Sequence, residues 1–181
     1  MKFGFKELEQ ALATAHDVPS DKRSQFAARL RNLFRVGLDM PGGRVGRRTN
    51  YGPEDLLKMT LAVEFLQFGI LPETAIKYVA EYWLEFRKKI ARVYLFTDKN
   101  LDVDCYMSFS PSLITNGKMV SGNFHRMAGS RISIEKRAII IDVNSVWDKI
   151  VNSLEDAGIE KSGFIAEIDT ESRNVLQAVQ N

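Results

Sequence analysis

Residues 42–71 read GGRVGRRTNYGPEDLLKMTLAVEFLQFGIL, and the two halves of this stretch ask for different backbones. Pro41-Gly42-Gly43 is turn chemistry. Arg44-Val45-Gly46-Arg47-Arg48-Thr49-Asn50 has the length and composition of a small hairpin with Gly46 at or near its tip. Tyr51-Gly52-Pro53-Glu54-Asp55-Leu56 then opens a helix. Pro53 fits the first helical position, and Glu54 and Asp55 complement the positive end of the helix dipole. Leu56, Leu57, Leu61 and Phe65, with Phe68 a marginal member, form an apolar stripe, and Gly69 is the expected stop. An arginine-bearing glycine loop braced by an amphipathic helix suggests contact with a phosphate backbone.

Upstream, Phe3 to Ala15 reads as a short helix with Phe5, Leu8 and Leu12 on one face. His16-Asp17-Val18-Pro19-Ser20 breaks it, with Ser20 as the expected N-cap of a second helix and Asp21 in its first turn. That helix extends to about Val36 and buries Phe26, Leu30, Leu33 and Phe34. Gly37 is its natural terminator. Opposite the apolar stripe lie Ser24, Gln25, Ala28, Asn32 and Arg35, flanked by Arg29 and Arg31. No acid follows Asp21 on this helix, so the stabilising acid–base pairs of an ordinary surface helix are missing. The face offers amide, hydroxyl and guanidinium groups, which read base edges and bind phosphates. Two short helices joined by a turn, the second basic, describe a helix-turn-helix.

Downstream, Ile76, Val79, Trp83, Phe86, Ile90 and Val93 step by three and four residues along a helix from about Pro72 to Phe96. Two readings fit: an ordinary core helix, or a helix that pairs with its twin in a homodimer. Thr97 to Asn100 looks like a boundary, after which strand patterning begins. Leu101, Val103, Cys105, Met107 and Phe109 alternate on one face. Leu113 to Val120 and Arg131 to Ile134 are further candidate strands, and Arg137 to Val143 reads as a buried one. Asn144 is expected to cap a helix from about Ser145 to Glu155. Residues 159–181 are either a final short strand and helix or a loosely held tail. The expected class is α+β: an all-α-rich DNA-binding unit over 1–71, a connecting or dimerisation helix over 72–97, a small α+β domain over 98–158 for dimerisation or an effector, and a tail over 159–181.

Charge sharpens the functional reading. The net charge of the 181 residues is only +2, but residues 1–100 carry 17 basic and 12 acidic side chains, and residues 101–181 carry 8 and 11. From Lys22 to Arg48 eight basic residues face Asp39 alone, the local clustering expected of a polyanion partner, with a solvated face as the plainer reading. One cysteine, Cys105, allows neither an internal disulfide nor a thiolate cluster, and its apolar face makes it a core residue. Charges interrupt the N-terminus, and no run approaches the ~18 apolar residues of a membrane span. A cytoplasmic protein with no membrane partner is expected. His16 and His125 have no partner at metal-ligand spacing and are expected to be surface or capping residues. Asp102 and Asp104 share a strand face as a solvated pair. Trp83 and Trp147 fit either the lining of a ligand pocket in the second half or, as is commoner for such residues, the core. No phosphate loop, dinucleotide fingerprint or nucleophile elbow occurs, so no enzymatic activity and no cofactor or metal is expected.

Several of these segments together resemble the DNA-binding half of the MerR family. They are Leu30-Arg31, Phe34-Arg35-Val36-Gly37-Leu38, the basic glycine loop, Arg48-Thr49-Asn50-Tyr51-Gly52-Pro53-Glu54-Asp55-Leu56, Phe65-Leu66-Gln67-Phe68-Gly69, and a Pro-Glu helix start at Pro72. The resemblance covers roughly residues 3–80 and implies a winged helix-turn-helix. It places Arg31 on the recognition helix, Arg47 and Arg48 on a phosphate-binding wing, and Tyr51 beside the DNA backbone; Arg44 joins these three in the expected hold on the backbone or the adjacent minor groove. It implies a double-stranded DNA partner, a homodimer, and RNA polymerase or another protein as a further partner. The chain departs from the family in a longer first turn through His16 to Ser24, in a short or replaced coiled coil, and in a C-terminal half unlike the family's effector domains. The expected function is a sequence-specific transcription regulator. The alternative is an architectural or protein-interaction module without regulatory sequence preference.

Overall fold

The computed structural model describes residues 1–37, 50–98, 104–109, 126–127 and 139–180. Among the described residues the chain forms six α-helices and a small sheet, in the order α1 (Phe5–Ala15), α2 (Arg23–Val36), α3 (Pro53–Gln67), α4 (Pro72–Asp98), β1 (Asp104–Phe109), β2 (Arg126–Met127), β3 (Ile139–Asp142), α5 (Val143–Ser153) and α6 (Lys161–Gln180). This is an α+β chain dominated by helix. The sheet has order β2-β1-β3 and is antiparallel throughout, with Tyr106 opposite Asp142 and Phe109 opposite Ile139. The expected strands at 113–120 and 131–134 lie outside the described residues, as do Leu101, Asp102 and Val103. Cys105 and Met107 are buried on one face of β1, as the alternation predicted.

Helix starts and stops follow from a few local devices. Gly4 and Gly52 take extended backbones, and their N–H groups donate to carboxylates three residues on: Gly4 to Glu7 Oε2 at 3.1 Å, Gly52 to Asp55 Oδ2 at 2.7 Å. Each carboxylate thereby fixes the residue that precedes its helix and lies at the positive end of the dipole. Asp55 is buried, and that burial pushes its carboxyl upward against the opposing Gly52 hydrogen bond. Three helix ends use one motif. A residue in the left-handed region bonds back to a carbonyl of the last turn, and the next residue, apolar, bonds one carbonyl further back. Gly69 and Ile70 do this after α3 and Asp17 and Val18 after α1, while Gly158 and Ile159 close in the same way the turn that extends α5, onto Glu155 and Leu154. Asp17, at φ 51°, occupies the position where glycine has no steric cost. Gly37, at φ 116°, ends α2.

Two expected caps differ. Ser20 begins a single 3-10 turn, Ser20–Lys22, and its hydroxyl caps nothing, so α2 starts three residues later. Asp142, not Asn144, caps α5: its Oδ1 accepts from the Ser145 N–H at 3.1 Å. Asn144 instead accepts from the Cys105 N–H at 2.7 Å and ties the helix to β1.

The hydrophobic core does not respect the boundary expected near residue 98. It runs continuously from Phe3 through Leu8, Leu12, Leu30, Leu57, Phe65 and Phe86 to Trp147, Phe164 and Ile168. α1 packs on α5, and α4 packs on α3 and α6. α3 is therefore central rather than amphipathic: Leu56, Leu57, Met59, Thr60, Leu61, Ala62, Val63 and Phe65 are all buried. The stripe on α4 expected to seat a second copy is filled by the chain itself. Val79, Phe86, Ile90 and Val93 are in the core, and Ile76 and Trp83 pack against it at its edge. Residues 159–181 are not a loose tail. Most of them form α6, which buries Phe164, Ile168 and Ser172. Trp147 is a core residue. No helix of the described residues is long and apolar enough to cross a membrane.

Candidate nucleic-acid interface

α2 buries Phe26, Ala27, Leu30 and Leu33 and turns its other side to solvent. Ser24, Gln25, Ala28, Arg29, Arg31 and Arg35 are exposed and Asn32 is half-exposed, so the structure brings all seven sequence-predicted residues of this helix to one side. The four arginines of α2 meet no acid on the helix itself. Arg23 is drawn back onto α1, where its guanidinium donates to Gln10 Oε1. Arg35 donates to Asn32 Oδ1 at 2.8 Å, an exposed bond that leaves the Asn32 amide hydrogens out of this contact. Shallow grooves border this face, one shared by Ala28, Arg31, Asn32 and Arg35, the other reaching Leu66 and Pro72 at the α3–α4 turn.

Behind the face stands a column of aromatic rings. The Arg31 guanidinium lies 5.1 Å from the centroid of Phe5. Phe5 meets Phe34 edge-on at 6.0 Å, and Phe34 meets Tyr51 at 5.6 Å. Among the described residues Arg31 is thus held by a cation–π contact rather than an ion pair, which positions the fork without neutralising it. Tyr51 is a correction. Expected beside a DNA backbone, it is 6% exposed, its ring packed behind α2 and its backbone paired with Phe3 through bonds of 2.8 and 2.9 Å. Against Phe34 this ring supports α2 from its buried side. Arg44, Arg47 and Arg48, the predicted wing residues, lie outside the described residues, as does His125.

His16, expected at the surface or as a cap, sits at the C-cap of α1 with its side chain only 2% exposed. Gln67 Nε2 donates to Nδ1 at 3.0 Å, and Glu64 Oε1 stands 3.5 Å from the same nitrogen. Burial pushes the imidazole down to about 4, the Lys149 cation on α5 adds to this, and Asp17 opposes it. Burial also pushes the Glu64 carboxyl up, opposed by Lys149. Desolvation disfavours imidazolium and carboxylate alike, so the contact is a polar one rather than an ion pair at neutral pH. Sequence reading missed this network. A lone histidine after a helix gives no sign that α3 and α5 close over it.

Among the described residues, no group of three or more His, Cys, Asp or Glu side chains is placed to hold a metal ion. Comparison with protein-family models, with curated proteins and with solved structures finds no match to this chain.

Proposed function

We propose that the chain is a sequence-specific double-stranded DNA-binding transcription regulator of MerR-like, winged helix-turn-helix type, acting as a homodimer. The observation that carries this reading is the exposed, acid-free side of α2, which gathers Gln25, Arg29, Arg31, Asn32 and Arg35. An α-helix fits the major groove, where arginine pairs with guanine and asparagine or glutamine with adenine. Desolvating the three guanidinium groups of Arg29, Arg31 and Arg35 against a protein partner would need as many acids, whereas a duplex offers phosphates along its length. The order helix, turn, basic helix, arginine-rich glycine segment, helix supports the same reading. Arg44, Arg47 and Arg48 are assigned to the backbone on the sequence alone. One short helix specifies few base pairs, and pairing two copies doubles the site. Their contact uses a surface other than the buried stripe of α4.

The test compares Arg31→Ala and Arg29→Ala with the parent on a selected duplex. Arg31→Ala is expected to cost about 1–3 kcal/mol on the selected site and little on random DNA. Arg29→Ala is expected to weaken both and to lower the salt slope by about one. Equal affinities across the three proteins would refute the assignment.

A second reading has its own observation. Phe68 and Leu71, 45% and 69% exposed, project from the α3–α4 turn. An apolar knob near a basic helix suits an architectural or protein-interaction module. Sequence preference separates the two: a regulator favours its site by ~10³ or more over bulk DNA, and a module of this kind does not.

A further inference from the structure

The end of α1, the start of α2 and the last turns of α3 enclose a pocket of about 400 Å³, a size that small-molecule sites commonly have. Its floor is apolar: Phe26 and Leu30 from α2, Val63 and Leu66 from α3. Its rim carries Lys22, Gln25, Arg29 and Gln67. Arg29 has no ion-pair partner among the described residues, and Lys22 meets only Asp21 at 3.7 Å, both well exposed. The Gln67 amide is held at the rim by its 3.0 Å bond to His16. An apolar floor beneath an unpaired guanidinium is the complement of an apolar body with a negative end.

Two locally unfavourable features lie on the turn that walls this pocket. Asp17, a lining residue, holds φ at 51° where glycine would be unstrained. His16, another, has its Nε2 buried without a hydrogen-bond partner among the described residues. Left-handed non-glycine residues and orphaned buried polar atoms each work against folding and gather at ligand sites. Neither is needed to end α1, because the same stop is made with glycine after α3 and α5.

We propose that this pocket binds a small amphipathic anion: an aliphatic or aromatic body on the floor, and a carboxylate or sulfonate on Arg29 and Lys22. Gln25 and Arg29 belong both to the pocket and to the outer side of α2. A bound anion takes the Arg29 guanidinium away from phosphate, so occupancy lowers DNA affinity, and DNA lowers anion affinity by the same factor. This coupling rests on the DNA-binding reading; the pocket itself does not.

The binding test uses the full chain without DNA. Anilinonaphthalene sulfonate is titrated by fluorescence, then competed with octanoate and with octylamine. The expected result is saturable binding at one site, displaced by octanoate and not by octylamine. Arg29→Gln, at an exposed position, is expected to weaken octanoate at least tenfold. Leu66→Trp, which fills the pocket from its floor, is expected to abolish site binding. Absence of saturable binding, equal competition by octylamine, or parent-like affinity in both variants would overturn the proposal. A second arm adds a duplex. Octanoate is expected to weaken DNA binding by the parent and not by Leu66→Trp. Octanoate binding by a chain that retains no DNA would uphold the pocket and refute only the functional reading.

Discussion

Lowering the pH is expected to weaken the fold through His16. The imidazole has an ordinary value of 6.5 and is held at about 4 in the folded chain, chiefly by burial. A depressed histidine contributes its full stability above its unfolded value and loses it as pH falls through its folded value. The unfolded chain takes up a proton near pH 6.5 that the folded chain refuses until about pH 4. At about 1.36 kcal/mol per pH unit, the loss reaches about 3 kcal/mol at pH 4, a large share of a typical ~5–15 kcal/mol total. Glu64 acts in the opposite sense: its raised value favours the fold as pH falls toward the carboxylate range. The informative quantity is therefore a difference between two proteins. His16→Asn keeps an acceptor for the Gln67 amide and removes the titration. Urea unfolding at pH 7, 6, 5 and 4 is expected to show the parent losing about 3 kcal/mol more than His16→Asn over this range. Parallel pH profiles for the two proteins would show that His16 is solvated, and the packing of α3 and α5 over it would be wrong.

Asp17→Gly relieves the left-handed backbone and is expected to stabilise by about 1 kcal/mol, read as a higher urea midpoint; a lower midpoint would mean the carboxylate itself supports the turn. Phe164→Ala is expected to cost about 3–5 kcal/mol, because this ring of α6 is fully buried in the shared core. A cost under about 1 kcal/mol would return residues 159–181 to the status of a tail. Tyr51→Phe keeps the ring behind Phe34 and is expected to leave duplex affinity within about twofold, measured by anisotropy; a tenfold loss would place the hydroxyl at the DNA after all.

What the sequence disclosed divides along physical lines. Local signals were legible. Gly37, Gly69 and Pro53 mark their helix boundaries because backbone dihedrals depend on the residue itself. The 3.6-residue period of Phe26, Leu30 and Leu33 gave α2 its inner side, and with it the outer side on which the functional reading rests. Long-range signals were not legible. Val79, Phe86, Ile90 and Val93 carry the same spacing whether the partner helix belongs to this chain or to another, and only the docking of α3 and α6 decides it. The resemblance places Tyr51 outward, yet its position is set by Phe3 and Phe34, which no neighbouring residue announces. His16 is expected at the surface or as a cap; it does stand at the C-cap of α1, but its burial depends on α3 and α5, whose residues lie far along the chain. The Asp17-Val18 stop does have a sequence signal, an apolar residue three places beyond the last helical residue, but aspartate in the glycine position hides it.

The central claim is that the outer side of α2 reads duplex DNA. Its most direct test is to incubate the purified chain with fragmented DNA of its own host at about 150 mM salt, where exposed long-range electrostatics are screened, and to sequence what is retained. The expected result is a small set of sharply enriched sites with a repeated or palindromic core, lost in Arg31→Ala. No retention, or the same retention for parent and variant, would contradict the claim.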